Sequence, residues 1–130
     1  MERLPEFLAS KRRNAAAYRE LLQGIPGLGW QQETAGAESS WWLFSLLIDS
    51  GLYKEDRDAL AARLRAAGIQ VRPLFMPLPL QPAYEKYGFR RCGVAESLYQ
   101  RGLSLPSATS LGEDDVRVVC SLIKGGQDLR

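Results

Sequence analysis

Residues 69–82 hold the side chains best suited to bind a ligand, and they read Ile-Gln-Val-Arg-Pro-Leu-Phe-Met-Pro-Leu-Pro-Leu-Gln-Pro. The segment begins like a buried strand and then contains four prolines, which can neither continue a helix nor occupy the centre of a sheet. We therefore predict a short strand and a stiff loop that carries Arg72, Phe75 and Gln81, because binding groups often lie on loops at strand ends. The alternative is a proline-rich connection that merely crosses the surface.

Each of these three side chains has a binding interpretation and a structural one. Arg72 could pair with a phosphate or a carboxylate, for which its planar guanidinium is suited, or it could form a salt bridge at the strand end. Phe75 could stack on a sugar or a base, or it could pack in the core. Gln81 could donate to or accept from a ligand hydroxyl, or it could brace the loop.

The length and the charge of the chain exclude several classes of protein. The 130 residues suffice for a single domain, residues 1–130, and their net charge of +2 is too balanced to indicate binding to nucleic acid or an anionic membrane. No apolar run approaches the roughly 20 residues that span a bilayer, and the polar N-terminus does not resemble a secretory signal. We therefore expect a cytoplasmic protein with no nucleic-acid or membrane partner.

The chain contains no histidine, which excludes Ser-His-Asp and Cys-His nucleophiles and most zinc sites. The two cysteines, Cys92 and Cys120, lack metal-ligand spacing, and we expect both to be reduced thiols. The sequence therefore predicts no metal site. Any catalysis by this chain alone would depend on lysine, arginine, tyrosine or carboxylate side chains.

Hydrophobic periodicity predicts the elements that position these residues. Apolar residues recur at helical spacing over residues 3–23, interrupted on the apolar face only by Lys11, and Gly24 is suited to end this long helix. Residues 25–40 read as a loop, and the apolar run of residues 41–48 is typical of a strand buried on both faces. The remaining predicted elements are a helix over residues 56–67, a strand over 69–72, short helices over 82–87 and 94–100, a strand over 103–105 and a final helix that begins at the capping box Ser110–Glu113.

This element order predicts an α+β fold. We expect a two-layer domain with a small, mostly antiparallel, three-stranded sheet, helices packed on one face, and the long N-terminal helix in front. Trp41 and Trp42 are adjacent and would point to opposite faces of a strand, so at least one lies in the core. Because helices on one face leave the other face uncovered, we expect one tryptophan on an exposed apolar surface, which would cause self-association or meet another domain.

Four segments occur in an order and spacing that resemble a known family. They are the run Trp41–Ile48, the helix Arg57–Gly68, the stretch Val71–Tyr84, and Ala95-Glu96 followed by Gly102–Ser107. Together they resemble the C-terminal portion of the pyridoxal-phosphate-dependent sugar aminotransferases, the DegT family of fold type I, over almost the whole chain. Within this family the similarity is greatest to enzymes that make 4-amino-4,6-dideoxy sugars, such as perosamine synthases.

The resemblance implies that the catalytic machinery lies outside this chain. Members of the family are much longer, and their large N-terminal domain holds the Schiff-base lysine, the aspartate that pairs with the pyridine nitrogen and the phosphate-binding loop. None of these can be matched to Lys11, Lys54, Lys86, Lys124 or their neighbours. We therefore expect a C-terminal small domain with no catalytic residue, which binds no pyridoxal phosphate by itself although the full-length enzyme does.

The resemblance also implies an activity and its partners. The full-length enzyme would transfer an amino group from glutamate to a 4-keto-6-deoxy nucleotide sugar for cell-surface polysaccharide or lipopolysaccharide biosynthesis, and it would form a homodimer. Its substrate-binding residues in this chain would be Trp42, Arg72, Phe75, Pro79 and Gln81. The alternative is a stand-alone, non-catalytic binding or interaction module of the same fold.

One of these positions departs from the pattern of the family. The family usually has a histidine where this sequence has Pro79, in a Pro-x-His-x-Gln-Pro motif. Because a proline side chain cannot form a hydrogen bond to a sugar hydroxyl, any contact of that histidine is lost or replaced here.

Overall fold

The computed structural model describes residues 2–88 and 93–125. Within them the chain forms the expected α+β fold, with an antiparallel sheet and α-helices packed against it. Two short 3₁₀ helices, Leu78–Leu80 and Pro82–Tyr87, follow the third strand. The main elements are α1 (Leu4–Leu22), β1 (Leu28–Trp30), β2 (Phe44–Ile48), α2 (Arg57–Ala66), β3 (Arg72–Pro73), α3 (Gly93–Arg101), β4 (Gly102–Leu105) and α4 (Glu113–Lys124).

The sheet has four strands rather than the three that we expected, in the order β1-β2-β4-β3. The additional strand is β1, which pairs with β2 in antiparallel register and lies in the segment that reads as a loop. Its three residues, Leu28–Trp30, include a glycine and are too few to show a two-residue hydrophobic period. Its pairing with β2 therefore decides its conformation.

The second strand is shorter than expected because Trp41 has a φ of +48°, a left-handed conformation that cannot be part of a strand. Pairing begins only at Phe44. Along β2 the residues alternate between buried and half-buried, and Ser45 and Leu47 belong to the half-buried set. The prediction of a strand fully buried on both faces is therefore wrong. The third strand also differs, since it covers only Arg72–Pro73.

The long N-terminal helix is confirmed as α1. Gln23 is its C-cap residue, and Gly24 follows with a φ of +80°, which a glycine adopts without strain. Tyr18 and Leu22 are fully buried, whereas Phe7 is exposed, because the first turns of α1 extend beyond the core.

The first turns of the other long helices have distinct caps. In α2 the Asp56 carboxylate accepts the Ala59 N–H at 2.8 Å. The capping box predicted at Ser110 is wrong, since Gly112 is the N-cap residue of α4 and donates its N–H to Asp115 Oδ2 at 2.9 Å. An aspartate at the third helical position satisfies this N–H as a glutamate would. The predicted apolar face of α4 is confirmed, and its buried members are Val116, Val119, Cys120 and Ile123.

The main core lies on one face of the sheet. Leu46 and Leu103 are fully buried there, on the same side as the buried residues of α1, α2 and α4. The other face is not bare, because a Cβ atom at Gly102 would meet the Leu74 side chain and the Leu98 carbonyl oxygen. Gly102 is adjacent to Leu103 in β4, so the Leu74 side chain covers part of the second face at this end. Leu98 belongs to the last turn of α3, which runs directly into Gly102.

Cys120 has a free thiol buried in the core, and burial raises its pKa to about 12. Cys92 lies outside the described residues. In the described ranges no helix is both long and apolar enough to cross a membrane. The same ranges contain no group of three or more histidine, cysteine, aspartate or glutamate side chains placed to hold a metal ion.

Candidate functional site

Three of the predicted substrate-binding residues, Trp42, Arg72 and Phe75, lie together around one groove of about 290 Å³. We call this pocket the groove throughout. It lies where β2 begins, β3 begins and β4 ends. Its remaining lining residues are Leu43, Gln70, Pro73, Ser104, Leu105, Pro106 and Ser107.

Arg72 is exposed and opposes Ser104 in the register of β3 and β4. Within the part of the chain that the structure describes, its guanidinium forms no hydrogen bond and no ion pair. A salt bridge at the strand end is therefore not its role among these residues. Arg72 is also the single charged side chain among the described lining residues, so the groove attracts an anion.

Phe75 and Trp42 form an exposed aromatic pair at the rim of the groove. Their ring centroids are 6.4 Å apart and their planes are inclined by only 14°. Phe75 is 78% exposed and Trp42 is 64% exposed, so neither ring packs in the core. Stacked rings with accessible faces are suited to contact the flat face of a base or the apolar face of a sugar.

The neighbouring Trp41 explains why Trp42 points outward. Trp41 is buried, stacks on Phe44 with a centroid separation of 5.9 Å, and lies under the Arg19 guanidinium, also at 5.9 Å. Its N–H donates to Ser39 Oγ at 3.0 Å. A positive φ at a bulky residue costs about 1–3 kcal/mol and persists only where packing enforces it. This turn places adjacent tryptophans in different environments, one in the core and one at the groove.

Side-chain hydrogen bonds fix the segment that precedes β2 and the segment that follows β4, both of which line the groove. The Ser107 hydroxyl accepts the Phe44 N–H and donates to the Leu105 carbonyl oxygen, each at 2.9 Å. The Gln31 amide donates to the Leu43 carbonyl oxygen and accepts the Ser45 N–H, each at 2.7 Å. Gln31 thereby continues the pairing of β1 with β2 through its side chain.

Helix α1 also holds the groove, through residues that sequence reasoning did not propose for the site. Tyr18 donates its hydroxyl to the Pro106 carbonyl oxygen at 3.0 Å, and Asn14 donates its amide to the Ala108 carbonyl oxygen at 3.2 Å. Burial raises the pKa of the Tyr18 phenol above its ordinary value, so the hydroxyl stays protonated and remains a donor.

Lys11 is a third residue of α1 that donates to the segments around the groove. Its ammonium donates to the Ser107 carbonyl oxygen and to the Trp42 carbonyl oxygen, the latter at 2.9 Å. Lys11, Asn14 and Tyr18 are spaced by three and four residues and therefore share one face of the helix. The signal available in the sequence was Lys11 itself, a cation within an apolar helical pattern.

The other two predicted site residues do not line the groove. Gln81 donates its amide to the Met76 carbonyl oxygen at 3.1 Å, which is the loop-bracing contact that we considered as its alternative role. Pro79 lies in the 3₁₀ helix Leu78–Leu80. A substrate contact by either residue stays a prediction.

The comparisons with known proteins agree with this fold. A model of the DegT/DnrJ/EryC1/StrS aminotransferase family matches residues 1–124. The chain belongs to this family. GDP-perosamine synthase of Vibrio cholerae is 33% identical over 125 residues, which are 95% of this chain and 34% of that protein. The predicted resemblance is thereby confirmed at the level of the family.

Solved structures show the same fold. The aminotransferase TlmJ from Streptoalloteichus hindustanus superposes with a TM-score of 0.83 at 31% identity, over 96% of this chain and 33% of that chain. GDP-4-keto-6-deoxy-D-mannose-3-dehydratase from E. coli, solved with bound hydrated pyridoxal phosphate, gives a TM-score of 0.78 at 29% identity, over 94% of this chain and 32% of that chain. The present chain thus spans about a third of the length of these relatives.

The groove itself does not fit pyridoxal phosphate as a resident cofactor. Neither a lysine nor a carboxylate is among its described lining residues. The Lys11 ammonium is occupied by two carbonyl oxygens, and the ammonium groups of Lys54 and Lys86 lie over tyrosine rings at 5.7 and 5.1 Å. The described lining of the groove offers one guanidinium and two exposed rings but no amine that could form a Schiff base and no carboxylate for a pyridine nitrogen.

Proposed function

We propose that this chain is the C-terminal, substrate-binding domain of a pyridoxal-phosphate-dependent enzyme that transfers an amino group to a 4-keto-6-deoxy nucleotide sugar. The observation that carries the proposal is the groove, where the guanidinium of Arg72, without a partner among the described residues, lies with the exposed Trp42–Phe75 pair. Membership of the aminotransferase family supports the reaction, and the names of the relatives support a GDP-linked sugar.

In this proposal each side of the groove recognises a different part of the substrate. Arg72 would bind the diphosphate, since guanidinium and phosphate form paired, charge-assisted hydrogen bonds. Trp42 and Phe75 would contact the base or the sugar ring. Ser107 and Ser104 would form a polar floor between these two parts.

The size of the groove supports a site shared with another segment. Its volume of about 290 Å³ is at the lower end of ligand pockets, which measure roughly 300–1,000 Å³. A nucleotide sugar would therefore be only partly enclosed, and a second surface would complete the site. We propose that this surface belongs to a lysine-bearing domain outside residues 1–130, in a cytoplasmic homodimer that uses glutamate as amino donor.

A second candidate function is a binding module without catalysis. It is favoured by one observation, that the described lining of the groove contains no lysine and no carboxylate. Both candidates predict a ligand-binding groove, and they differ in whether the chain acts together with a cofactor-bearing domain.

The test is an activity measurement on a protein in which this chain continues from a lysine-bearing domain of the family. We expect that protein to convert a GDP-linked 4-keto-6-deoxy sugar to the 4-amino sugar with glutamate. The 130-residue chain alone, incubated with pyridoxal phosphate and desalted, should retain no cofactor absorbance. Stoichiometric cofactor on the chain alone would contradict the division of roles, and dehydration of the sugar without amino transfer would contradict the reaction.

A further inference from the structure

Lys11 is a cation in a helical pattern that is otherwise apolar. Ala15 and Tyr18, four and seven residues further along α1, are buried on this face, whereas Lys11 is half-buried. Partial burial of an ammonium is unfavourable unless hydrogen bonds compensate the lost water. Hydrogen bonds near Lys11 must therefore compensate its partial burial, which the amphipathicity of the helix does not explain.

The reason lies at the end of the β2–β4 pair. Phe44 and Leu105 are the last directly opposed residues of these strands. The residue that follows β4 is Pro106, which has no N–H and cannot extend the hydrogen-bonded ladder. If the register continued, Trp42 would oppose Ser107. The carbonyl oxygens of these two residues are the ones to which Lys11 donates.

We propose that Lys11 is a positioning residue of the groove, which fixes the spacing of its two walls where the strand pairing has ended. The walls are the segment of Trp42 and Leu43 and the segment of Pro106 and Ser107. One ammonium has three donors and can bind both carbonyl oxygens at once. The position of Trp42 relative to Arg72 and Phe75 then depends on Lys11.

Asn14 and Tyr18, the other residues of α1 that donate to the segment after β4, do not provide this link. Asn14 and Tyr18 bind the carbonyl oxygens of Ala108 and Pro106, which belong to one wall only. Lys11 is the member of this set that reaches the wall of Trp42 as well. An apolar side chain at this position would leave two carbonyl oxygens without this partner, and the hydrogen bond from the Phe44 N–H to the Ser107 hydroxyl would be the remaining described link between the walls.

Fluorine NMR of the chain labelled with 5-fluorotryptophan tests this positioning without any ligand. The three tryptophans give three signals, which Trp→Phe variants assign. We expect Lys11→Met to shift or broaden the Trp42 signal while the Trp30 signal stays in place. Lys11→Arg, which keeps the charge and several donors, should restore the original Trp42 signal. Arg13→Met, which removes a cation from the exposed side of the same helix, should change neither signal.

A folded Lys11→Met chain with an unchanged Trp42 signal would overturn the proposal. If Lys11→Met does not fold, Lys11→Gln takes its place, because its shorter amide cannot span both carbonyl oxygens. An unchanged Trp42 signal in Lys11→Gln would overturn the proposal equally.

The consequence for ligand binding rests on the proposed function and is measured separately, with GDP as the probe. We expect Lys11→Met to weaken GDP binding about tenfold, because a displaced Trp42 no longer stacks on the ligand, and Lys11→Arg to restore it. If the unmodified chain does not bind GDP, the proposed function fails, and the fluorine spectrum still decides the role of Lys11. If GDP binds equally to the unmodified chain and to Lys11→Met, the positioning role is contradicted.

Discussion

The core and the groove adjoin each other and differ in the burial of their aromatic rings and in the hydrogen bonding of their polar groups. In the core, Tyr18 stacks on Phe44 with a centroid separation of 4.9 Å, and its hydroxyl has a hydrogen-bond partner. At the groove, Trp42 and Phe75 stack in solvent, and Arg72 has no partner among the described residues. The first arrangement stabilises the fold, whereas the second leaves groups available to a ligand.

This difference shows that the solvent exposure of a side chain and its hydrogen-bond partners distinguish binding residues from structural ones better than residue type does. A buried donor without a partner costs about 1–3 kcal/mol, and in the core Asn14 and Tyr18 both donate to carbonyl oxygens. An exposed guanidinium has no such cost because water solvates it. Trp41 and Trp42 illustrate the distinction at adjacent positions, with 4% and 64% exposure.

The largest expected difference in stability is between a phenylalanine-to-alanine substitution in the core and the same substitution at the groove. Phe44→Ala removes a buried ring from the core and should destabilise the chain by about 3–5 kcal/mol. Phe75→Ala removes an exposed ring and should cost less than about 1 kcal/mol. Urea unfolding of the two variants measures the comparison directly. Equal losses of stability would show that the aromatic pair of the groove is structural.

Alkaline pH should weaken the core through its buried thiol. Burial raises the pKa of Cys120 from 9.0 to about 12, so the fold favours the protonated thiol. This contribution to stability is complete below pH 9 and is lost as the pH rises from 9 to about 12, with a slope of up to about 1.4 kcal/mol per pH unit.

Unfolding in urea at a series of pH values checks this decline. The control is Cys120→Ala, which should be less stable at neutral pH and should decline less steeply above pH 9. The pKa of Tyr18, also raised by burial, accounts for a remaining slope in the control. Identical slopes in the two proteins would exclude the thiol as the cause.

Arg72→Ala should separate binding from folding. Because the guanidinium has no described partner, the free energy of unfolding of the chain should fall by less than about 1 kcal/mol, which leaves the melting temperature within a few degrees. In the longer enzyme that we propose, kcat/KM should fall by about tenfold or more. A large loss of stability with normal kinetics would make Arg72 a structural residue.

The smallest effect is expected for Gln81→Ala, since Gln81 lies outside the lining of the groove. Gln81→Ala removes a brace to Met76 in an exposed loop and should change stability by less than about 0.5 kcal/mol. GDP binding should remain within twofold of the unmodified chain, about the error of such a titration. Binding weakened as strongly as in Arg72→Ala would place Gln81 in the site after all.

The elements that could be predicted from the sequence are those with a long period or a local signal. The helices α1 and α4 each carry several turns of apolar residues, and Arg72 and Phe75 stand out beside prolines. The strand β1 could not be predicted, since three residues with a glycine acquire their conformation from pairing with β2.

The geometry of the site depended on contacts between distant residues. The left-handed Trp41 packs under Arg19 of α1, and Lys11 of the same helix donates to the Trp42 carbonyl oxygen. Gln81 and Arg72 are similarly suggestive in the sequence, and only the fold of the loop shows that one braces it while the other lines the groove.

The most direct test of the account is a titration of the nitrogen-15-labelled chain with GDP, followed by NMR. We expect saturable shifts of the Trp42 indole N–H and of the Arg72 side-chain N–H, with little change at Trp30. The same titration of Arg72→Ala should show binding weakened about tenfold. If GDP causes no saturable shift, or if the shifts lie away from Trp42, Arg72 and Phe75, the groove is not the substrate site of this chain.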